Sequence, residues 1–147
     1  VMTDIDGMLA FADTDPAANA KLVGTVGYCM SGRFAVCAAG HRPDRVKATA
    51  SIYGVRLVTE TDNSPHLIAK SSPAEFYFAC AERDHYAPQE MVENLDQYLT
   101  SHNVNSRLEW YPGTQHGFAF PQRVMYDKAS GERHWERLFS LFKRNLV

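Results

Sequence analysis

The stretch VGTVGYCMSGRFAVCAAG, residues 23–40, constrains this chain more than any other, because it must pass from strand to helix within about two residues. Val23, Val26 and Tyr28 favour extended backbone, whereas residues 30–39 can continue as a helix closed by Gly40. Gly27 and Ser31 flank Cys29 two residues away on either side. That spacing is the pattern of a nucleophile elbow, a sharp strand-to-helix turn that holds a reactive side chain at its tip, here with cysteine at the centre. A sulfur in that position lies near the positive end of the following helix, which favours the thiolate, the form that attacks carbonyl carbon.

The rest of the sequence continues the alternation. Thr3 and Asp4 are placed to cap a first helix whose apolar residues Ile5, Met8, Leu9 and Phe11 fall near one face, with its end at 13–16. Strands are predicted over 21–28, as a buried strand, and over 46–53, followed by Gly54 and a polar loop over 56–64. A short helical turn is predicted at 66–70. Residues 76–80, FYFAC, form an unbroken apolar run of strand formers, as in a strand covered on both faces. An amphipathic helix over 88–101 begins with proline and turns Met91, Leu95, Tyr98 and Leu99 inward. A fourth strand, 106–111, is expected to stop at Pro112 and Gly113. A long helix over 130–146 then turns Trp135, Leu138, Phe139 and Phe142 inward. Strands alternating with helices imply an α/β chain with a parallel sheet and flanking helices. No internal repeat, linker or low-complexity segment interrupts it.

Two residues join Cys29 where a parallel sheet would present them, at its carboxyl edge. Asp84 follows the 76–80 strand and His116 follows the 106–111 strand, giving the chain order nucleophile, acid, histidine. In that arrangement His116 takes the thiol proton and returns it to the leaving alcohol, while Asp84 fixes the imidazole tautomer. The backbone N–H of Met30 donates to the developing oxyanion. Cys37 and Cys80 read as small core residues. His85 is expected to point away from the site, and His41, His66, His102 and His134 to follow helix ends or lie on polar faces, with no zinc-like spacing. Glu82 and Asp62 are the alternative acids, both less well placed. Arg133, Arg137, Lys143 and Arg144 read as the solvated face and last turn of the final helix.

Bulk properties exclude other classes. A formal net charge of -2 gives no electrostatic case for nucleic acid. No apolar run approaches the ~20 residues that span a bilayer, and residues 1–11, broken by Asp4 and Asp6, do not read as a signal peptide. Three cysteines without framework spacing argue for a reducing compartment, so the expected location is cytoplasmic.

Together GYCMSG around Cys29, DHYAP around Asp84, YPGTQHGFAFP around His116 and the tail YDKASGERHWERLFSLFKRNL resemble the dienelactone hydrolase family over essentially the whole chain. The resemblance implies an α/β-hydrolase fold and a Cys29–Asp84–His116 triad with Met30 as one oxyanion donor. It also implies hydrolysis of an ester or lactone, as in opening dienelactone to maleylacetate, without metal or organic cofactor. Family members carry a further stretch ahead of the point where this sequence begins, holding the first strands, the second oxyanion donor and a glutamate that keeps the resting thiol protonated. Residues 1–147 therefore read as the C-terminal portion of a single α/β-hydrolase domain, without those strands. The edge of the 21–28 strand is then expected to be covered by another chain or a second copy.

The family's proper members also clamp a substrate carboxylate with arginines, one of them four residues after the histidine. Here that position is Phe120, Gly117 stands next to the histidine, and Arg123 lies nearby. A more apolar pocket argues for a broader or different small-molecule ester. Two other readings compete with the hydrolase: a non-catalytic fragment or interaction module that keeps the fold, and a redox-sensing protein that uses Cys29 as a peroxide-reactive thiol.

Overall fold

The computed structural model describes all of residues 1–147. Four strands form one parallel sheet in the order β1 (Val23–Tyr28), β2 (Val46–Ile52), β3 (Glu75–Arg83) and β4 (Ser106–Gln115). Between them run α2 (Met30–His41), α3 (Pro65–Ala69) and α4 (Gln89–Ser101), preceded by α1 (Met2–Ala12) and followed by α5 (Lys128–Asn145). Because a strand's side chains alternate, β3 supplies both halves of the interior. Phe76, Phe78 and Cys80 pack with Val36, Val92, Leu95 and Leu99 under α2 and α4. Tyr77, Ala79 and Ala81 pack with Tyr111, Phe118, Leu138 and Leu141 under α5. This is the expected α/β arrangement of a parallel sheet with flanking helices, and no helix is long and apolar enough to cross a membrane.

Several expectations need correction. The first strand begins at Val23, is half-buried rather than buried, and leaves Val26 42% exposed, because β1 is an edge strand paired to β2 alone. The first helix starts at Met2 with Val1 at its cap, not at Thr3 and Asp4, and it buries nothing: Met8 and Phe11 face outward. Strand β4 runs through Pro112 and Gly113 to Gln115 instead of stopping. An edge strand tolerates a proline, whose missing N–H costs no ladder bond on the free side. Gly113 meets the local demand for a positive φ of 75° and donates its N–H to Glu82 at 2.8 Å.

The buried stripe of α5 is Gly131, His134, Leu138 and Leu141, so Leu138 is inward as expected but Phe139 is 63% exposed and Trp135 also faces out. Arg133 and Arg137 are not merely solvated. Both pair with Glu109 of β4, and Arg144 pairs with Glu75 of β3, fastening α5 across the sheet. Burial pushes Glu109 upward, but hydrogen bonds from Tyr77 and Arg137 and the charges of Arg107 and Arg133 outweigh it and hold the carboxyl below its usual range.

Candidate active site

All four strands point their carboxyl ends to one side, so the residues just beyond them converge there. Cys29 follows β1, Tyr53 follows β2, Asp84 follows β3 and His116 follows β4. Asp84 and His116 lie immediately past their strands, closer than predicted, because β3 and β4 are each longer than their apolar stretches.

Cys29 occupies φ 56°, ψ −123°, a strained conformation for a residue with a side chain, between the last residue of β1 and the first of α2. Three neighbours impose it. A Cβ on Gly27 would lie 2.1 Å from the Ser31 carbonyl oxygen, so only glycine lets the strand pass this close to the helix. The Ser31 hydroxyl accepts from the Tyr28 N–H and donates to the Tyr28 carbonyl, both at 2.8 Å. A Cβ on Gly32 would lie 2.4 Å from Ser51 Oγ, so α2 seats directly on β2. The Cys29 N–H donates to Ile52 at 3.1 Å, and its carbonyl accepts from Gly32 and Val55 at 3.1 and 3.3 Å. Met30, as the first residue of α2, has an N–H with no acceptor one turn back in the helix.

The His116 Nδ1–H donates to Asp84 Oδ2 at 2.7 Å, which leaves Nε2 as the acceptor nitrogen. Asp84's side chain is 1% exposed and its other oxygen accepts from the Tyr86 and Ala87 N–H groups at 2.9 and 3.1 Å, so the carboxylate is fixed from three directions. The imidazole lies between the rings of Tyr53 and Tyr86, each 4.9 Å away.

Cys29 and His116 line the same cleft, of about 490 Å³. Its walls are aromatic, from Tyr28, Tyr53, Tyr86 and Phe120, with the cationic side chains Arg83 and Arg123 and no carboxylate among the lining residues. Asp84 sits behind His116, outside the lining. A thiol on a strained turn and an imidazole with a fixed tautomer thus face one aromatic-walled space, an arrangement that could support acyl transfer.

Several histidines lie elsewhere than the sequence predicts. His85 does line the cleft, its ring 3.8 Å from that of Tyr86. His134 is fully buried, not on a polar face. It donates from Nδ1 to the Gly131 carbonyl, so its Nε2 accepts from the Tyr28 hydroxyl at 3.1 Å. His66 is also buried, bonded to Ser64 at 2.7 Å. Of the alternative acids, Glu82 binds the Gly113 N–H and Asp62 lies exposed in the loop before α3. Cys80 is buried, and burial, with the nearby Asp84 and Asp96 charges, pushes its thiol up to about 12. Cys37 is half-buried on α2, its thiol raised by burial. No three His, Cys, Asp or Glu side chains gather closely enough to hold a metal ion.

A model of the dienelactone hydrolase family matches residues 1–146. A Synechocystis sp. protein named "Putative carboxymethylenebutenolidase" is 29% identical over 149 residues, covering 99% of this chain and 60% of its own length. An Escherichia coli K12 protein of the same name is 31% identical over 147 residues, covering 98% and 54%. The chain therefore spans little more than half the length of these curated relatives. The crystal structure of a "Putative Dienelactone Hydrolase" from Klebsiella pneumoniae superposes with a TM-score of 0.86 at 27% identity, over 97% of this chain and 60% of that one. The Pyrococcus horikoshii acylaminoacyl peptidase shares the fold alone, with a TM-score of 0.77 at 16% identity over 98% of this chain and 27% of its own.

Proposed function

The chain belongs to the dienelactone hydrolase family, and from that premise we propose that its cleft hydrolyses a carboxylic ester or lactone through a thioester on Cys29. The observation that carries this reading is the 2.7 Å bond from His116 to a buried Asp84, with His116 sharing its cleft with a cysteine on a strained elbow. The Cys29 thiol gives its proton to His116 Nε2, and the sulfur bonds to the acyl carbon. The Met30 N–H supports the oxyanion, which collapses and expels the alkoxy group, protonated by His116. Water, deprotonated by the same nitrogen, then cleaves the thioester. Asp84 holds the ring and balances its charge while it carries the extra proton. The aromatic walls, with Phe120 at the position four residues past His116, suit a largely apolar small-molecule ester. The free edge of β1 is where a further strand, from another chain or a second copy, would pair.

The test is a burst experiment on the full-length protein with a p-nitrophenyl ester, quenched for mass spectrometry. An acyl adduct on Cys29 that disappears in Cys29→Ala supports the hydrolase. A full-length protein that turns over no ester and carries no adduct on Cys29 leaves the interaction module as the better reading.

A further inference from the structure

The buried stripe of α5 is Gly131, His134, Leu138 and Leu141, so one polar ring stands where an aliphatic side chain would fill the space. Both of its nitrogens are used. Nδ1 donates to the Gly131 carbonyl, and Nε2 accepts from the Tyr28 hydroxyl at 3.1 Å. Burial holds the imidazole below its usual range, against the Gly131 bond and the Glu132 charge. The ring is therefore neutral at physiological pH and keeps one acceptor nitrogen. The Tyr28–His134 pair is complete within residues 1–147.

His134 meets one ring from each half of the site. Tyr28 ends β1 and precedes Cys29, and its ring lies edge-on to His134 at 5.8 Å. Phe118, two residues past His116, is fully buried and lies edge-on to His134 at 6.3 Å. The Phe118 carbonyl accepts from the N–H of Asp127, whose side chain caps α5. The helix that carries His134 thus also grips the loop that carries His116. That double hold matters because β1 and β4 stand at opposite ends of the sheet, with β2 and β3 between them. At roughly 4.8 Å per strand their backbones lie about 14 Å apart, and sheet twist varies from pair to pair. Proton transfer needs the sulfur and the imidazole within hydrogen-bond reach, a finer tolerance than strand pairing alone imposes.

We propose that His134 is a positioning residue for catalysis: bonded to Tyr28 and packed on Phe118, it sets the separation of the Cys29 sulfur from His116 Nε2. The proposal rests on the hydrolase reading above. His134 is absent from the cleft wall and acts through Tyr28, which lines it. Ser31 holds the Tyr28 backbone on both sides, Phe120 packs on its ring at 4.9 Å, and His134 holds the hydroxyl at the far end. With that bond broken, the ring can turn, and the residue before the strained Cys29 loses one of its two polar anchors. A misplacement of about 1 Å costs about 100-fold in rate. The loss falls on kcat, because the reacting atoms lose alignment while the walls that bind the ester remain.

Four variants of the full-length protein separate this role from space-filling: Tyr28→Phe, His134→Phe, the double variant, and His134→Gln, whose amide oxygen can still accept from Tyr28. Burst rates with a p-nitrophenyl ester are compared per folded molecule, well below every variant's melting temperature. Tyr28→Phe and His134→Phe should each lose about 100-fold with KM nearly unchanged. The double variant should be no slower than the slower single one, because both remove the same bond. His134→Gln should recover most of the rate. A wild-type burst rate in Tyr28→Phe overturns the proposal. So does a double variant that loses the product of the two single losses, or a His134→Gln as slow as His134→Phe. If His134→Phe does not fold, Tyr28→Phe and His134→Gln decide between them. No acyl adduct on wild-type Cys29 would instead remove the hydrolase reading itself, and this proposal with it.

Discussion

Replacing Gly27 by alanine tests whether close packing creates the elbow. The added Cβ would lie 2.1 Å from the Ser31 oxygen, 2.4 Å from the Ser31 carbonyl carbon and 2.7 Å from the Gly32 nitrogen. All three are backbone atoms in the first turn of α2, so no side chain can swing aside. To restore even a 3.0 Å contact, the strand and helix must separate at the point where Ser31 clamps Tyr28. Overpacking costs about 1–3 kcal/mol when the surroundings can give, and a backbone obstacle puts this case near 3 kcal/mol. For a chain of this length that corresponds to a drop of about 6–12 °C in melting temperature. Gly7→Ala is the control. Nothing lies within 4 Å of its added Cβ, so this mid-helix change should stabilise by about 0.5–1 kcal/mol. Thermal and urea unfolding of both variants supply the comparison, with iodoacetamide alkylation of Cys29 reporting on the elbow. If Gly27→Ala melts with the wild type and its thiol reacts at the wild-type rate, the packing argument is wrong.

Asp84→Asn keeps an oxygen for the Tyr86 and Ala87 N–H groups but turns an NH₂ towards His116 Nδ1, which reverses the ring tautomer. Ester turnover should drop about 10³- to 10⁴-fold with little change in melting temperature, and near-normal turnover would count against the triad. Stability should fall as pH drops below 6.5, because burial holds His134, and likewise His66, below that value while the unfolded chain takes up their protons there. Equilibrium urea titrations should show a gentler slope below pH 6.5 for His134→Gln, and an identical slope would place the titration elsewhere. The lowered carboxyls Glu75 and Glu109 act in a separate window, where stability is lost only as pH falls below 4.5. The 147-residue chain should self-associate through β1, weakened by Val26→Lys on its exposed face. Sedimentation of a monodisperse, folded monomer would refute that.

The elbow was legible in the sequence because it is a local object: Gly27, Ser31 and Gly32 lie within three residues of Cys29 and dictate its geometry by contact. The alternation of strands and helices was legible for the same reason, as was the presence of Asp84 and His116 after their strands. Side-chain periodicity was less reliable where partners came from far along the chain. The apolar spacing of α5 favoured Trp135 and Phe139 as inward residues. In the fold, His134 goes inward instead, since it meets Tyr28 from 106 positions away and the arginines on either side must reach Glu109.

The sequence alone thus determined the class of fold, the strained turn at Cys29 and the identity of the candidate acid and base, all of which follow from short-range sterics and hydrophobic pattern. Tertiary structure decided which strand lies at an edge, which face of α5 is buried, and the alignment of His116 on Asp84. It also set His134 between Tyr28 and the loop that carries His116. Those outcomes depend on which distant groups satisfy one another's hydrogen bonds once the chain closes, and no local pattern records that.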